Sequence, residues 1–483
     1  MVESRKTGKT MGNFFGREEE YEQLEELLLK NSSSLVVIRG RRRIGKSRLA
    51  QEFSKLFQKQ YIFSGLPSTK TATASSQRNE FRRQMQEMGV ASYGADDWGD
   101  LFAIMGEKCA SGRVLIVLDE ITWMGNKDPD FLGKLHVAWE RHFQHNPKLI
   151  LILSGSNSAW IEENILSSTG FMGRISLRLH LHELPLNVCN RFWGTRTNQI
   201  SAYEKCKILG VTGGIPRYLE EILPQYTAEE NIFRLGFQKS GILYTEFDNI
   251  FSDLFQERNK KYSAIVKALV AGSASIDTIA KRLGRTKGGD LSQALDELVE
   301  SDFIAQDAVW SIKEGVSDKL RVYRLSDNYL RFYLKYIEPN KTKIDNKTMK
   351  SLPASWLSIM GIQFENLVLN NVDRIIDILK IPHNEVITAG PYLQTETRNR
   401  QKCQIDLLIQ TKYNQLYVIE TKFSKDPIDI DIVKEVTEKI HRIERPKGFS
   451  CRPIVIHVNG VTDSLLEMDF FSDIIDFSQL MDS

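Results

Sequence analysis

Two α/β regions separated by a helical middle are what this sequence predicts, and three observations predict them. Residues 35–53 run from an apolar strand through a glycine-bounded turn into an amphipathic helix, and further apolar strands follow at 114–120 and 148–157. Residues 262–304 repeat apolar side chains at spacings of three and four, as helices do. From about Ser351 the pattern changes to a helix followed by short strands. At roughly 100–200 residues per domain, a chain of 483 residues holds about three domains.

Composition excludes some classes. A formal net charge of +2 rules out a generally basic chain, so any nucleic-acid surface must be local. No apolar run approaches the roughly 20 residues that span a bilayer, and the start "MVESRKTGKTMG" has no apolar signal region. The five cysteines (109, 189, 206, 403, 451) are odd in number and scattered without a C-x-x-C pair. They predict reduced thiols in the cytoplasm and no zinc ribbon, and the lack of a spanning run predicts no membrane partner.

The first element, "SLVVIRGRRRIGKSRLAQEF", carries G-x-x-x-x-G-K-S from Gly40 to Ser47 in a strand–loop–helix setting. Gly40 and Gly45 let backbone N–H groups wrap phosphates, with the helix N-terminus behind them. Lys46 should reach the β- and γ-phosphates of ATP, and the Ser47 hydroxyl should ligate Mg²⁺. Arg43, Ile44 and Arg48 are the neighbouring nucleotide contacts expected from the same segment. The strand "VLIVLDE" ends in Asp119, a second Mg²⁺ ligand, and Glu120, expected to polarise the attacking water. A third strand, "KLILILSGSN", brings Ser154, Ser156 and Asn157 to the crevice at the strand ends. One of these senses the γ-phosphate, and the position of Asn157 suits an amide contact.

Together "FFGREEEYEQLEELL", "GRRRIGKS", "LIVLDE" and "LILSGS" resemble the archaeal-type P-loop ATPases of the AAA-like and STAND branch. The resemblance implies that Phe15, Gly16 and Arg17 lie near the adenine. It implies that Arg174 in "FMGRISLRL" can reach a neighbouring subunit's nucleotide, so that homo-oligomers form on nucleotide binding. It also implies a lid in "GVTGGIPRYLEEI", with Pro216 at its base and Arg217 as a sensor. A structural or surface arginine is the competing reading of Arg174 and Arg217. The expected divisions are an ATPase domain at 12–185 and a helical lid at 186–255. The polar stretch from Thr69 to Phe81 reads as a mobile excursion.

The middle, 256–345, scans as three helices and two strands with a polar tip, a winged-helix candidate. Lys281, Arg282, Arg285 and Lys287 edge its second helix, where such modules meet DNA. The third helix carries Asp296, Glu297 and Glu300, so protein docking is the competing role. Tyr329, Phe332, Tyr333 and Tyr336 suit packing on a helix face, with a base-stacking platform as the alternative.

The last domain, 351–483, holds a helix with Glu365 near its start and a hairpin from "CQIDLLI" to "QLYVIETKF". A turn symmetric about Tyr413 puts Asp406 opposite Glu420, with Lys422 on the same face. Two acids and a lysine so placed suit Mg²⁺ or Mn²⁺ and phosphodiester chemistry. D-x(13)-E-x-K, with Glu365 ahead of it, resembles the PD-(D/E)XK nuclease fold, although Ile405 stands where relatives have proline. The resemblance implies a restriction-endonuclease-like domain with Asp406, Glu420, Lys422 and Glu365 as its catalytic set. Nucleic acid, DNA foremost, is the implied partner. Downstream, Arg442, Arg445, Lys447 and Arg452 form a basic cluster that suits a phosphate backbone, with a solvated loop as the competing reading.

Overall fold

Five parallel strands and five strands of mixed direction form the two large sheets of this protein, seen in a computed structural model. It describes residues 14–67, 72–92, 94–125, 127–255, 258–313, 315–398 and 400–482. The chain divides into two compact units, Met1–His182 and Glu183–Ser483.

In the first unit, helix α1 (Glu18–Glu26) precedes strand β1 (Ser34–Arg39), and α2 (Lys46–Ser54) follows it. Then come β2 (Lys59–Ser64), α3 (Ala74–Glu87), α4 (Trp98–Lys108), β3 (Val114–Asp119), β4 (Leu149–Gly155) and β5 (Ile175–His180). The order is β2-β3-β4-β1-β5, and every pairing is parallel. Strands β3 and β4 are buried at every position, which is why they read as unbroken apolar runs. The chain leaves β1 for the far edge of the sheet, so the end of β1 lies where a doubly wound sheet opens its ligand crevice.

The excursion expected at Thr69–Phe81 is corrected from Ala74 onward, since α3 begins there; residues 69–71 lie outside the described residues. Thr73 Oγ1 accepts the Ser76 N–H at 3.1 Å, and Ser76 Oγ accepts the Thr73 N–H at 2.8 Å, a reciprocal cap. Phe81 and Met85, four apart, bury themselves; Phe81 stacks on Phe63 with centroids 4.0 Å apart. Buried Gln77 exchanges two 2.9 Å hydrogen bonds with the Leu66 backbone. The exposed face of α3 is polar, which hid its period.

The second unit opens with a helical region that includes α5 (Ala202–Thr212). Next come α6 (Asn259–Leu269), β6 (Ala274–Ser275), α7 (Ile276–Arg282), α8 (Gly289–Glu300), β7 (Ile304–Ser311) and β8 (Gly315–Leu325). These strands form an antiparallel sheet in the order β6-β8-β7. At the expected polar wing tip Lys313 and Gly315 are exposed, while the β7 side leading into it buries two side chains. Trp310 and Ile312 are buried among Tyr392, Ile405, Leu408 and Val418 of the C-terminal sheet. Trp310 Nε1 donates to the Pro391 carbonyl at 3.3 Å, and Gln410 Nε2 donates to the Ile312 carbonyl at 3.2 Å. Tyr329, Phe332, Tyr333 and Tyr336 are all buried, so they pack and present no stacking surface.

A 3₁₀ turn, Trp356–Ile359, leads into α9 (Met360–Leu369) and then a separate helix, Val372–Ile378. Glu365 therefore sits in the second turn of α9, further from the start of the helical stretch than expected. Strands β9 (Val386–Gln394), β10 (Cys403–Thr411) and β11 (Gln415–Lys422) form an antiparallel meander. Helix α10 (Asp431–Arg442) crosses over to β12 (Ser450–His457), and β13 (Asp473–Asp476) ends a β13-β12-β11-β10-β9 sheet. Phe364 and Leu367 of α9 pack on Leu407 and Ile419. Ile432 and Val436 of α10 pack on Val455.

Helix α9 is also wired to the middle of the chain. Buried Arg331 donates to Gln363 Oε1 at 2.6 Å, to the Leu325 carbonyl at 2.7 Å and to the Val270 carbonyl at 3.3 Å. Gln363 Nε2 reaches the Gly210 carbonyl of α5 at 2.8 Å. Arg324 on β8 joins Asp307 on β7 at 3.0 Å to Asn366 at 2.6 Å. Among the described residues, no helix is long and apolar enough to cross a membrane.

Candidate functional site

Two clusters answer to the predicted residues, one in each unit. In the first, β1 runs into Gly40, whose φ is +143° and whose absent Cβ would meet the Leu181 carbonyl oxygen at 2.4 Å. Gly45 caps α2 with φ +103° and open space beside it. Arg43 adopts φ +68° between them, so the loop turns its backbone inward on itself. Lys46 is buried, and its Nζ donates to the Gly40 and Arg41 carbonyls at 2.9 and 3.0 Å. Burial holds its ammonium below the usual lysine range, against the opposing pull of Glu120 and Asp119.

Asp119 and Glu120 are adjacent but point to different partners. Asp119 Oδ2 accepts the Ser47 hydroxyl at 2.6 Å, and Oδ1 accepts the Ser154 hydroxyl and the Glu120 N–H. Glu120 adopts φ +51°, a strained value for a non-glycine residue. Its Oε2 accepts both the N–H (3.1 Å) and the hydroxyl (2.9 Å) of Ser156. The end of β4 thus sorts the two acids: Ser154 holds one toward Ser47, and Ser156 holds the other away. The donor set fits a magnesium nucleotide, with hard oxygens from Ser47 and Asp119, a buried ammonium and a glycine cradle that a Cβ would fill.

The flanking predictions scatter. Buried Arg17 donates to the Ile44 carbonyl at 3.1 Å and the His182 carbonyl at 2.6 Å, so it fastens the phosphate loop from behind. Gly16, at φ +86° beside Phe15, donates its N–H to Glu18 at 2.8 Å. Arg48 pairs with Glu52 at 3.4 Å. The Asn157 side-chain oxygen caps a short helix by accepting the Trp160 N–H at 3.0 Å. Arg174 binds Glu140 of its own chain, which holds that carboxyl below the usual range. In the second unit, Pro216 opens a one-turn helix, and Arg217 pairs with Glu220 and Glu221 at 3.1 and 2.7 Å.

The second cluster lies at the β10–β11 hairpin. Its register follows the symmetric turn, with Gln410 opposite Leu416 and Leu408 opposite Val418. The paired run ends at Leu407 and Ile419, and the β9–β10 register shifts between Ile405 and Leu408. Continued one step, the hairpin register brings Glu420 across from Asp406. Asp406 Oδ2 accepts the Thr421 N–H and hydroxyl, both at 2.9 Å.

Glu420 is 3% exposed. Its Oε1 accepts from Lys422 at 3.0 Å, and its Oε2 from Lys439 of α10 at 2.6 Å. Glu435 closes the ring, 3.0 Å from Lys422 and 3.3 Å from Lys439. Burial, and then the charge of Asp406, push the Glu420 carboxyl up to about 7. The same two causes push Glu365 up to about 7. The four predicted residues, Glu365, Asp406, Glu420 and Lys422, thus share one electrostatic neighbourhood. Sequence reasoning missed Glu435 and Lys439, whose only signal is their spacing of four on an amphipathic helix.

A cleft of about 390 Å³ opens beside Asp406, lined by Lys402, Cys403, Gln404, Lys439 and Arg442. The predicted basic cluster divides here. Arg442 lines the cleft, Arg445 donates to the Ile440 carbonyl at 2.6 Å, and Arg452 binds Gln415 at 2.8 Å, at the opposite end of β11. At the helical module, Lys281 and Arg285 are exposed, and Lys287 faces Asp277 at 3.4 Å.

Residues 14–222 match the model of a family described as an ATPase domain predominantly from Archaea. Over 443 residues the chain is 27% identical to an uncharacterised protein of Methanocaldococcus jannaschii, covering 90% of this chain and 93% of that one. Among solved structures it is similar to the Walker-type ATPase of Pyrococcus abyssi, at 17% identity and TM-score 0.49, over 67% of this chain and 96% of that one. It is also similar to the Aeropyrum pernix ORC2 protein, at 15% identity and TM-score 0.41, over 70% and 97% of the two chains. Residues 14–222 hold an ATPase domain of the archaeal type.

Proposed function

We propose that this protein hydrolyses ATP at the phosphate loop and cuts nucleic acid, DNA foremost, at the C-terminal acid cluster. In this reading the chain belongs with the AAA-like and STAND ATPases. Its lid spans 186–255, its winged helix 256–345 and its PD-(D/E)XK nuclease-like domain 351–483. The ATPase half is carried by the sorting of Asp119 and Glu120 between Ser154 and Ser156. Lys46 and the loop N–H groups bind the β- and γ-phosphates, and Ser47 and Asp119 would hold Mg²⁺, which neutralises charge on the transferring phosphoryl. Glu120 orients the attacking water and takes up its proton.

The nuclease half is carried by the shared neighbourhood of Glu365, Asp406, Glu420 and Lys422, with two carboxyls pushed to about 7. Asp406 and Glu420 would hold Mg²⁺ or Mn²⁺, with Glu365 beside them; such an ion polarises the phosphate and lowers the pKa of a bound water. Lys422 steadies charge that develops on the phosphate. Metal-dependent cleavage of DNA by the full chain, abolished in Asp406→Ala and Lys422→Ala, is the expected result.

One observation favours a second reading, an ATP-operated switch whose nuclease-like domain only binds. Both Glu420 oxygens are held by lysines, Lys422 and Lys439. If the wild-type chain cuts no tested nucleic acid with Mg²⁺ or Mn²⁺, with or without ATP, this second reading replaces the first.

A further inference from the structure

The cleft beside Asp406 joins side chains that lie far apart in sequence. Lys402 comes from the approach to β10, and Lys439 and Arg442 come from the last turn of α10, three residues apart and so neighbours on the helix surface. Three cations and one carboxylate are the charged groups of its lining. Lys439 belongs to both places, since it lines the cleft and holds Glu420 at 2.6 Å. Lys402 and Arg442 are exposed. Arg442 pairs with Glu438 at 2.9 Å, a surface pair of a kind worth only about 0–1 kcal/mol and easily exchanged for a phosphate.

We propose that Lys402, Lys439 and Arg442 hold the sugar–phosphate backbone of a nucleic acid and present it to Asp406. The inference rests on the reading of the acid cluster as a phosphodiester site and adds the direction from which the strand arrives. It passes over the start of β10 and the C-terminal end of α10. Backbone cations carry no base information, so the contact is made with any sequence. Lys402 and Arg442 are positioning residues. Lys439 links their row to the acids.

The test uses the full chain and a fluorescein-labelled DNA, as duplex and as single strand. Anisotropy is read in EDTA across a salt series, and cleavage is read separately with Mn²⁺. In Lys402→Gln/Arg442→Gln the slope of log affinity against log salt should fall by roughly one per cation removed, with binding weakened alike for unrelated sequences. The KM for cleavage should rise. An unchanged slope together with an unchanged KM overturns the inference and leaves the nuclease reading intact. A reduced slope, with no Mn²⁺-dependent cleavage by wild type, supports the backbone contact and removes the nuclease reading instead.

Discussion

Ser156→Ala isolates the work of one hydroxyl at the ATPase site. Ser156 holds Glu120 Oε2 through Oγ at 2.9 Å and through its backbone N–H at 3.1 Å, and the substitution removes only the first. A hydrogen bond to a charged group contributes about 1.5–3 kcal/mol. Glu120 is half-buried, and the backbone N–H remains, so the lower end applies, about 1.5 kcal/mol, or roughly a tenfold fall in kcat. Lys46, Ser47 and Asp119 keep their own partners, so nucleotide affinity is retained. Phosphate release gives kcat, and titration with a fluorescent nucleotide gives Kd. In a Glu120→Gln background the same change should have little further effect, because the carboxylate it positions is gone. Wild-type kcat in Ser156→Ala, or a loss of affinity that matches the loss of rate, would refute the positioning role.

Three further outcomes follow from the geometry. Lys46→Ala should abolish nucleotide binding, because the buried ammonium is the loop's direct charge for the phosphates; equilibrium binding checks this. Phe81→Ala should cost about 3–5 kcal/mol of stability, read by urea unfolding, because the ring stacks on Phe63 inside the first core. Glu365 and Glu420 are pushed up to about 7, from an ordinary 4.5. Between those values the folded state binds protons that the unfolded chain has released, so their stabilisation is full below about pH 4.5 and is lost as pH rises through 7. Asp406→Asn removes the charge that both acids feel, lowers both, and should flatten the fall of Tm between about pH 5 and 7.5; a fall as steep as in wild type would contradict the shared neighbourhood.

How much could be read in advance depended on how local each signal was. The phosphate loop is contiguous, and its glycines do steric work that sequence reports directly. The hairpin register was readable because a short turn centred on Tyr413 leaves one symmetric pairing. What the symmetry does not show is the partner of Asp406, whose Oδ2 takes the Thr421 N–H and hydroxyl. Lys439 was invisible for a similar reason: on α10 it reads as a solvated partner of Glu435, and only the docking of that helix brings it to Glu420. Helix α3 was hidden by its polar face, although its reciprocal cap and the spacing of Phe81 and Met85 were there to be counted. The roles of Ser154 and Ser156 needed the strand order, which inserts β4 between β1 and β3.

The hairpin β7–β8 looks in sequence like the ornament of an independent module, yet Trp310 and Ile312 are bricks in the wall of the next one. A fragment ending near residue 345 would leave those two side chains bare, and one starting near 351 would have a hole where they belong. The helical module and the acid-bearing sheet therefore share part of one core. A cut between them opens that core on both sides, baring Trp310 and Ile312 on one piece and Tyr392, Ile405, Leu408 and Val418 on the other.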